Sequence, residues 1–243
     1  MKDIWAPFRS KQALLQMGLC ALIFVGMAVP FKVMVLVEGL TEVRTVNAVP
    51  VVAGLLLGPA GAWGCALGNL VADLFGTFSK ASLLGFWANF FAAYLPYKVW
   101  HTLRPETKPN VKSGVNILIY LMLSAVSSLI VAVFLTCGLE VWLKMWIPNL
   151  FLIIFYNNLG FPIALGLPVF IVLTSDAHQV QPLMPPSRTR AQLLLNRVLL
   201  ALLTATRAAL GLLIVRGTAM STSPGMCFLG FMYLLSLVLY LLS

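Results

Sequence analysis

Charge is what this sequence has least of. Only 9% of its 243 residues are Asp, Glu, Lys or Arg, and just 7 are acidic, against about a quarter charged in an average soluble domain. So few charges cannot solvate the surface of a chain this long, which excludes a soluble globular protein and a disordered one. Histidine is nearly missing as well: His101 and His178 have no acidic or thiol partner at ligand spacing. Cys20, Cys65, Cys137 and Cys227 stand singly within apolar runs and form no C-x-x-C pair. Neither a metal centre nor a disulfide framework is indicated, and the four read as small packing residues. The catalytic patterns H-E-x-x-H, G-x-S-x-G and G-x-x-x-x-G-K-[ST] do not occur. The expectation is a chain that is not an enzyme and uses no cofactor.

What the sequence does contain is hydrophobic. Sixty per cent of residues are apolar or aromatic (60%), and the mean hydropathy is +0.96. The apolar residues come in solid runs, not in the alternating segments of about 10 residues that mark a β-barrel. The fold class expected is all-α, a polytopic membrane helical bundle. The net charge of +9 then reports membrane topology and contact with anionic lipid, and no nucleic acid partner is needed to explain it.

Apolar segments fall at about 13–36, 49–57, 60–75, 82–100, 115–139, 147–174, 191–215 and 226–242. The second and third are shorter than the roughly 20 residues of an untilted span, so they are either short spanning helices or a re-entrant hairpin. Residues 1–175 form a six-helix unit, 176–190 a Pro-rich cytoplasmic linker, and 191–243 two additional helices. Eight crossings would gather Lys2, Arg9, Lys11, Lys98, Arg104, Lys108, Lys112, Arg188, Arg190 and Arg197 on one side. Lys32, Arg44, Lys80, Lys144 and Arg216 fall opposite, and Arg207 lies within the seventh segment. This bias puts both termini in the cytoplasm. Glu38, Glu42, Asp73 and Glu140 then lie outside or near the outer interface.

Polar side chains within apolar segments are expensive and tend to face a protein interior or cavity. Asn69 and Asp73 are four apart and share a helix face. Asn89 lies some 10 Å into the fourth segment at about 1.5 Å per residue. Asn157 and Asn158, beside Gly160 and Pro162, suggest a locally broken helix around a site. For Asn69 or Asn89 alone, ordinary interhelical hydrogen bonding is the simpler account. Taken with the polar loop Glu42–Asn47, the set Glu42, Arg44, Asn47, Asp73, Asn89, Asn157 and Asn158 points to an outward substrate pocket under a lid. Glu42 and Arg44 would receive an amine and a carboxylate, although a surface ion pair explains them equally. Gly61, Gly64 and Gly68 read as close-packing residues. Arg207 reads as an arginine that snorkels or is captured by a neighbouring helix's carbonyls, or that meets a partner subunit. Gly18, Leu22 and Gly26 line a small-residue groove on the first helix, a docking surface for a partner helix or for the chain's own seventh or eighth helix.

The middle of the chain carries a resemblance. A first helix and a polar loop precede a Pro-initiated short segment (Ala48-Val49-Pro50), a Gly58-Pro59 turn, and a Gly-rich run ending in Asp73-Leu74-Phe75-Gly76. Over roughly residues 12–175 this resembles the substrate-binding S components of energy-coupling factor (ECF) vitamin transporters. The resemblance implies a six-helix bundle in a bacterial cell membrane that binds a micronutrient near its outer face, with the first outer loop as lid. It further implies a transmembrane coupling subunit and two cytosolic ATPases as partners. Two departures stand out. Where the family often has Ala-x-x-x-Ala on the first helix, Ala21 is followed by Val25, and the last two helices have no counterpart. Alternatives are a membrane scaffold or assembly protein of similar layout, and a self-sufficient secondary transporter, for which Asp73 is the sole acid near the membrane interior.

Overall fold

The computed structural model describes residues 2–31, 35–37, 41–42, 44–76, 78–147, 149–175, 183–185 and 188–243. Eight longer helices follow one another among them: α1 (Lys11–Ala28), α2 (Ala48–Leu57), α3 (Pro59–Asp73), α4 (Ala81–Leu103), α5 (Gly114–Leu143), α6 (Leu150–Leu173), α7 (Arg190–Val215) and α8 (Pro224–Leu242). Five stretches, Lys11–Phe31, α5, α6, α7 and α8, are long and apolar enough to cross a membrane.

Side-chain caps set several of the starts. Ser10, Ser113 and Ser223 accept from the backbone N–H three residues on, and Thr189 and Gln192 close a reciprocal capping box at the head of α7. The first helix ends earlier than its apolar run suggests. Pro30 follows the last α-helical turn, and residues Val29–Phe31 tighten into a 3-10 turn. Beyond it a two-stranded antiparallel ladder pairs Val35 with Glu42 and Val37 with Thr41, the one strand pairing among the described residues.

The short second and third segments form a helical hairpin. Gly58 joins them at φ 56 and ψ −130, a conformation that favours glycine, and Pro59 opens α3 where its missing N–H costs nothing. α3 packs between α1 and α4, α2 packs on α4, and α4, α5 and α6 follow in sequence. Gly64 and Gly68 allow the close approach of α1. A Cβ at either position would lie 2.6 Å from Cys20 Cβ or Phe24 Cβ. Cys20 and Cys65 meet in the same seam, their sulfurs 3.7 Å apart.

α6 was expected to break near Asn157; instead the helix continues and widens. Pro162 and Pro168 each remove a backbone donor, and Pro162–Gly166 forms a π-helical turn. The Leu167 N–H there donates to the Pro162 carbonyl, which also accepts from the Tyr120 hydroxyl at 3.0 Å.

The last two helices pack on each other, and α7 lies against α4, α5 and α6. Buried polar bonds secure them. Lys98, expected among the exposed cytoplasmic charges, is buried and donates to the carbonyls of Tyr240 and Leu241 at the end of α8. The Thr102 and Tyr240 hydroxyls are 3.0 Å apart. Glu140 is buried near the end of α5, where it accepts from the Ser221 N–H at 2.8 Å and the Ser221 hydroxyl at 3.0 Å. Arg207 is wholly buried, and its Nη2 donates to Thr204 Oγ1 at 2.7 Å. The hydroxyl that meets it sits one turn back on its own helix rather than on a neighbour. His101, one residue past the apolar segment 82–100, is buried in the last turn of α4. His178, Lys32 and Glu38 lie outside the described residues, as do positions 176–182 and 186–187 of the linker.

Candidate functional site

The candidate pocket residues come from four places: the stretch before α2, the end of α3, the first half of α4 and the first half of α6. Arg44 is the residue that ties three of them together. It precedes the 3-10 turn Thr45–Asn47 that leads directly into α2. From this half-buried position its Nη2 donates to Asn69 Oδ1 at 2.6 Å, and its backbone N–H donates to Asn157 Oδ1 at 3.3 Å. Asn69 in turn donates through Nδ2 to Asp73 Oδ2 at 3.3 Å, one helical turn further along α3. The result is a guanidinium, an amide and a carboxylate in series. Asn69 and Asp73 are both buried.

α4 approaches this series at Gly85, where an added Cβ would lie 2.8 Å from Asn69 Nδ2. One turn along, Asn89 is buried but donates to the Gly85 carbonyl of its own helix at 2.9 Å. Asn158 behaves in the same way. Adjacent residues on a helix point about 100° apart, and Asn158 Nδ2 donates to the Ile154 carbonyl at 2.9 Å, while Asn157 reaches Arg44. Asn47 is buried, and its Nδ2 has no partner among the described residues. The backbone of Glu42 lies in the short ladder; its side chain is outside the described residues.

Arg44, Asp73 and Asn157 are therefore joined in one network, and Asn89 borders it through Gly85. Asn158 makes its described bond within α6. Asn69 belongs at the centre, although its four-residue spacing from Asp73 was the only sequence signal of that role. An amide between opposite charges lets each be hydrogen-bonded without direct contact, and such charge-assisted bonds are the strong ones. The arrangement offers both acceptors and donors to a small polar molecule. It contains no nucleophile paired with a base, and no group of three His, Cys, Asp or Glu able to hold a metal occurs among the described residues.

The groove on α1 faces away from the bundle. A Cβ at Gly18 or Gly26 would meet nothing within 4 Å, and Leu22 is 69% exposed. A shallow apolar depression of about 420 Å³ runs over this face, lined by Gly18, Leu22, Val25 and Val71 among others. Neither α7 nor α8 fills it, since both pack on the α4–α5–α6 side.

These helices and their buried polar ties define a class, the multi-pass helical membrane proteins. No family model, curated protein or solved structure matches the chain.

Proposed function

We propose that this chain is the membrane-embedded substrate-binding and translocation subunit of an uptake system for a small polar micronutrient, of the ECF S-component type. The Arg44–Asn69–Asp73 series, with Asn157 on the Arg44 backbone, is the observation that carries this reading. A loop anchored to two helices by one side chain and its own N–H suits a lid. Exchange of the Asn69 contact for a ligand carboxylate or carbonyl would release the series and open the entrance. The unpartnered Asn47 amide is a further donor for the same ligand. Energy comes from two cytosolic ATPases through a transmembrane coupling subunit, and the exposed Gly18–Leu22–Gly26 groove of α1 is the surface on which that subunit docks. The chain resides in a bacterial plasma membrane, crosses it eight times and keeps both termini in the cytoplasm, as the distribution of basic residues favours.

Mass spectrometry of small molecules retained by the purified protein identifies the ligand. Truncation of a charged partner in a desolvated site commonly costs about 2–5 kcal/mol, so Arg44→Ala should reduce retention at least tenfold with the helical content unchanged. The rival reading is a membrane scaffold or assembly protein, favoured by the return of the Asn89 and Asn158 amides to their own helices. Retention of no small molecule by the wild type, or equal retention by Arg44→Ala, would favour it.

A further inference from the structure

Two cavities of different character adjoin along α1 and α2. The first is a chamber of about 450 Å³ beside the N-terminal segment, with Asp3, Ser10, Gln12, Gln16 and Tyr97 among its lining residues. The second is a groove of about 360 Å³ lined almost wholly by apolar side chains. Gln16, Leu56 and Leu57 line both, so the chamber adjoins the groove.

The groove exists because α2 is short and its exposed side is built from small residues. Ala48, Val49, Val52 and Ala53 form the floor, while α1 and the second half of α6 stand up as rims. Along α1 the lining runs from Gln16 to Met27, which is about 17 Å at 1.5 Å per residue. That is close to half the roughly 30 Å hydrocarbon thickness of a bilayer, the depth of one leaflet. The rims are open sideways: Leu19 is 51% exposed and Val169 49%. The groove therefore faces the place where acyl chains lie.

Charge of both signs lies at the chamber. Asp3 lines it, and Arg188 stands three residues beyond Pro185, another of its lining residues. Arg188 is half-buried, and its Nη1 is buried with no partner among the described residues. A carboxylate and an incompletely satisfied guanidinium beside one chamber complement a zwitterion. Ser10, Gln12 and Gln16 add neutral hydrogen-bonding groups to the chamber, and Gln16 lines the groove as well.

We propose that this cleft is a phospholipid site, with an acyl chain along the α1–α2–α6 groove and an ethanolamine phosphate head in the chamber, ammonium towards Asp3 and phosphate towards Arg188. A primary ammonium donates hydrogen bonds to a carboxylate, whereas a choline head has no N–H to donate. A glycerol head has no cation for Asp3.

The test uses the full-length protein, delipidated in detergent. Binding of phosphatidylethanolamine, phosphatidylcholine and phosphatidylglycerol with identical chains is followed by native mass spectrometry. The ethanolamine lipid should bind at least tenfold more tightly than the other two. Asp3→Asn should abolish that preference. Val169→Trp, or Leu19→Trp on the facing rim, should weaken all three at least tenfold with circular dichroism unchanged. Both substitutions lie at lipid-facing positions, so the pair guards against one of them failing to fold. Free O-phosphoethanolamine should compete poorly, because it lacks the chain. Equal binding of the three lipids, preference for phosphatidylglycerol, indifference to Asp3→Asn, or full binding by both folded tryptophan variants would each overturn the proposal.

Discussion

Replacement of Gly64 by alanine tests the packing of α1 on α3 against a control on the other face of the same helix pair. The new Cβ would lie 2.6 Å from Cys20 Cβ, 2.8 Å from the Met17 carbonyl oxygen and 3.0 Å from Cys20 Sγ. Ordinary contact begins at 3.4 Å, so α1 must retreat by about 0.8 Å or the side chains must distort. Two of the three neighbours are backbone or Cβ atoms that cannot rotate away. Overpacking of this kind costs about 1–3 kcal/mol, and three simultaneous contacts argue for the upper part of that range. Alanine recovers about 1 kcal/mol in helix propensity over glycine, which leaves a net loss of about 2 kcal/mol. For a chain of this size Tm moves about 2–4 °C per kcal/mol, so Gly64→Ala should melt about 4–8 °C below wild type. At Gly18 the same change meets nothing within 4 Å. Gly18→Ala should therefore match or exceed the wild-type Tm. Thermal unfolding of both variants in the same detergent, followed by loss of the monodisperse chromatographic peak, gives the comparison. A Gly64→Ala protein as stable as wild type, or a Gly18→Ala protein equally damaged, would refute the close approach of α1 to α3.

Other measurements reach the remaining parts of the fold. Glu140→Leu leaves the Ser221 N–H and hydroxyl without their acceptor, which should cost about 1–3 kcal/mol and appear as a lower Tm with the same helical content. Deletion of residues 191–243 strips Lys98 and Glu140 of the partners that bury them; the remnant should aggregate on size-exclusion chromatography, and a monodisperse remnant would make the last two helices dispensable. Reporter fusions after Pro109 and after Pro185 should both read cytoplasmic, and an external signal from either would reverse the proposed orientation.

Local signals in the sequence anticipated the helices well. Apolar runs, the Gly58-Pro59 turn and the polar stretches place seven of the eight within a few residues, because each signal acts on its own segment; the first helix stops at Ala28, well short of its apolar run. The close packing of Gly61, Gly64 and Gly68 was also legible, since small residues four or so apart on an apolar helix have few other uses in lipid. What stayed hidden was pairing across long separations. Nothing local in Lys98 says that Tyr240 and Leu241 will receive it 142 and 143 positions later, so it was counted as a cytoplasmic charge. Glu140 read only as an acid near the outer interface for the same reason, and its bonds to Ser221 stayed out of view. At the candidate site the polar set was recognisable by its cost in an apolar setting, but not its internal order. Whether an asparagine reaches a neighbour or folds back on its own helix depends on which rotamer the packing leaves open. That separates Asn157 from Asn158 and makes Asn69 the hub.

The π-helical turn in α6 has a consequence for how this chain tolerates changes of length. A π turn is an α-helical turn with one residue inserted. Loss of a single residue between Pro162 and Gly166 would restore ordinary winding and keep the helix intact. Every side chain after it would then rotate by about 100° relative to those before it. Asn157 would stay beside Arg44, while Val169 and Leu173 would swing away from the α2 floor. One extra residue thus acts as a phase setting between the two halves of α6, aligning a first half that meets the Arg44 stretch with a second half that borders the α1–α2 groove. Insertions and deletions elsewhere in the loops leave that phase untouched, so relatives of this chain should vary freely in loop length and hold the spacing from Asn157 to Val169 constant.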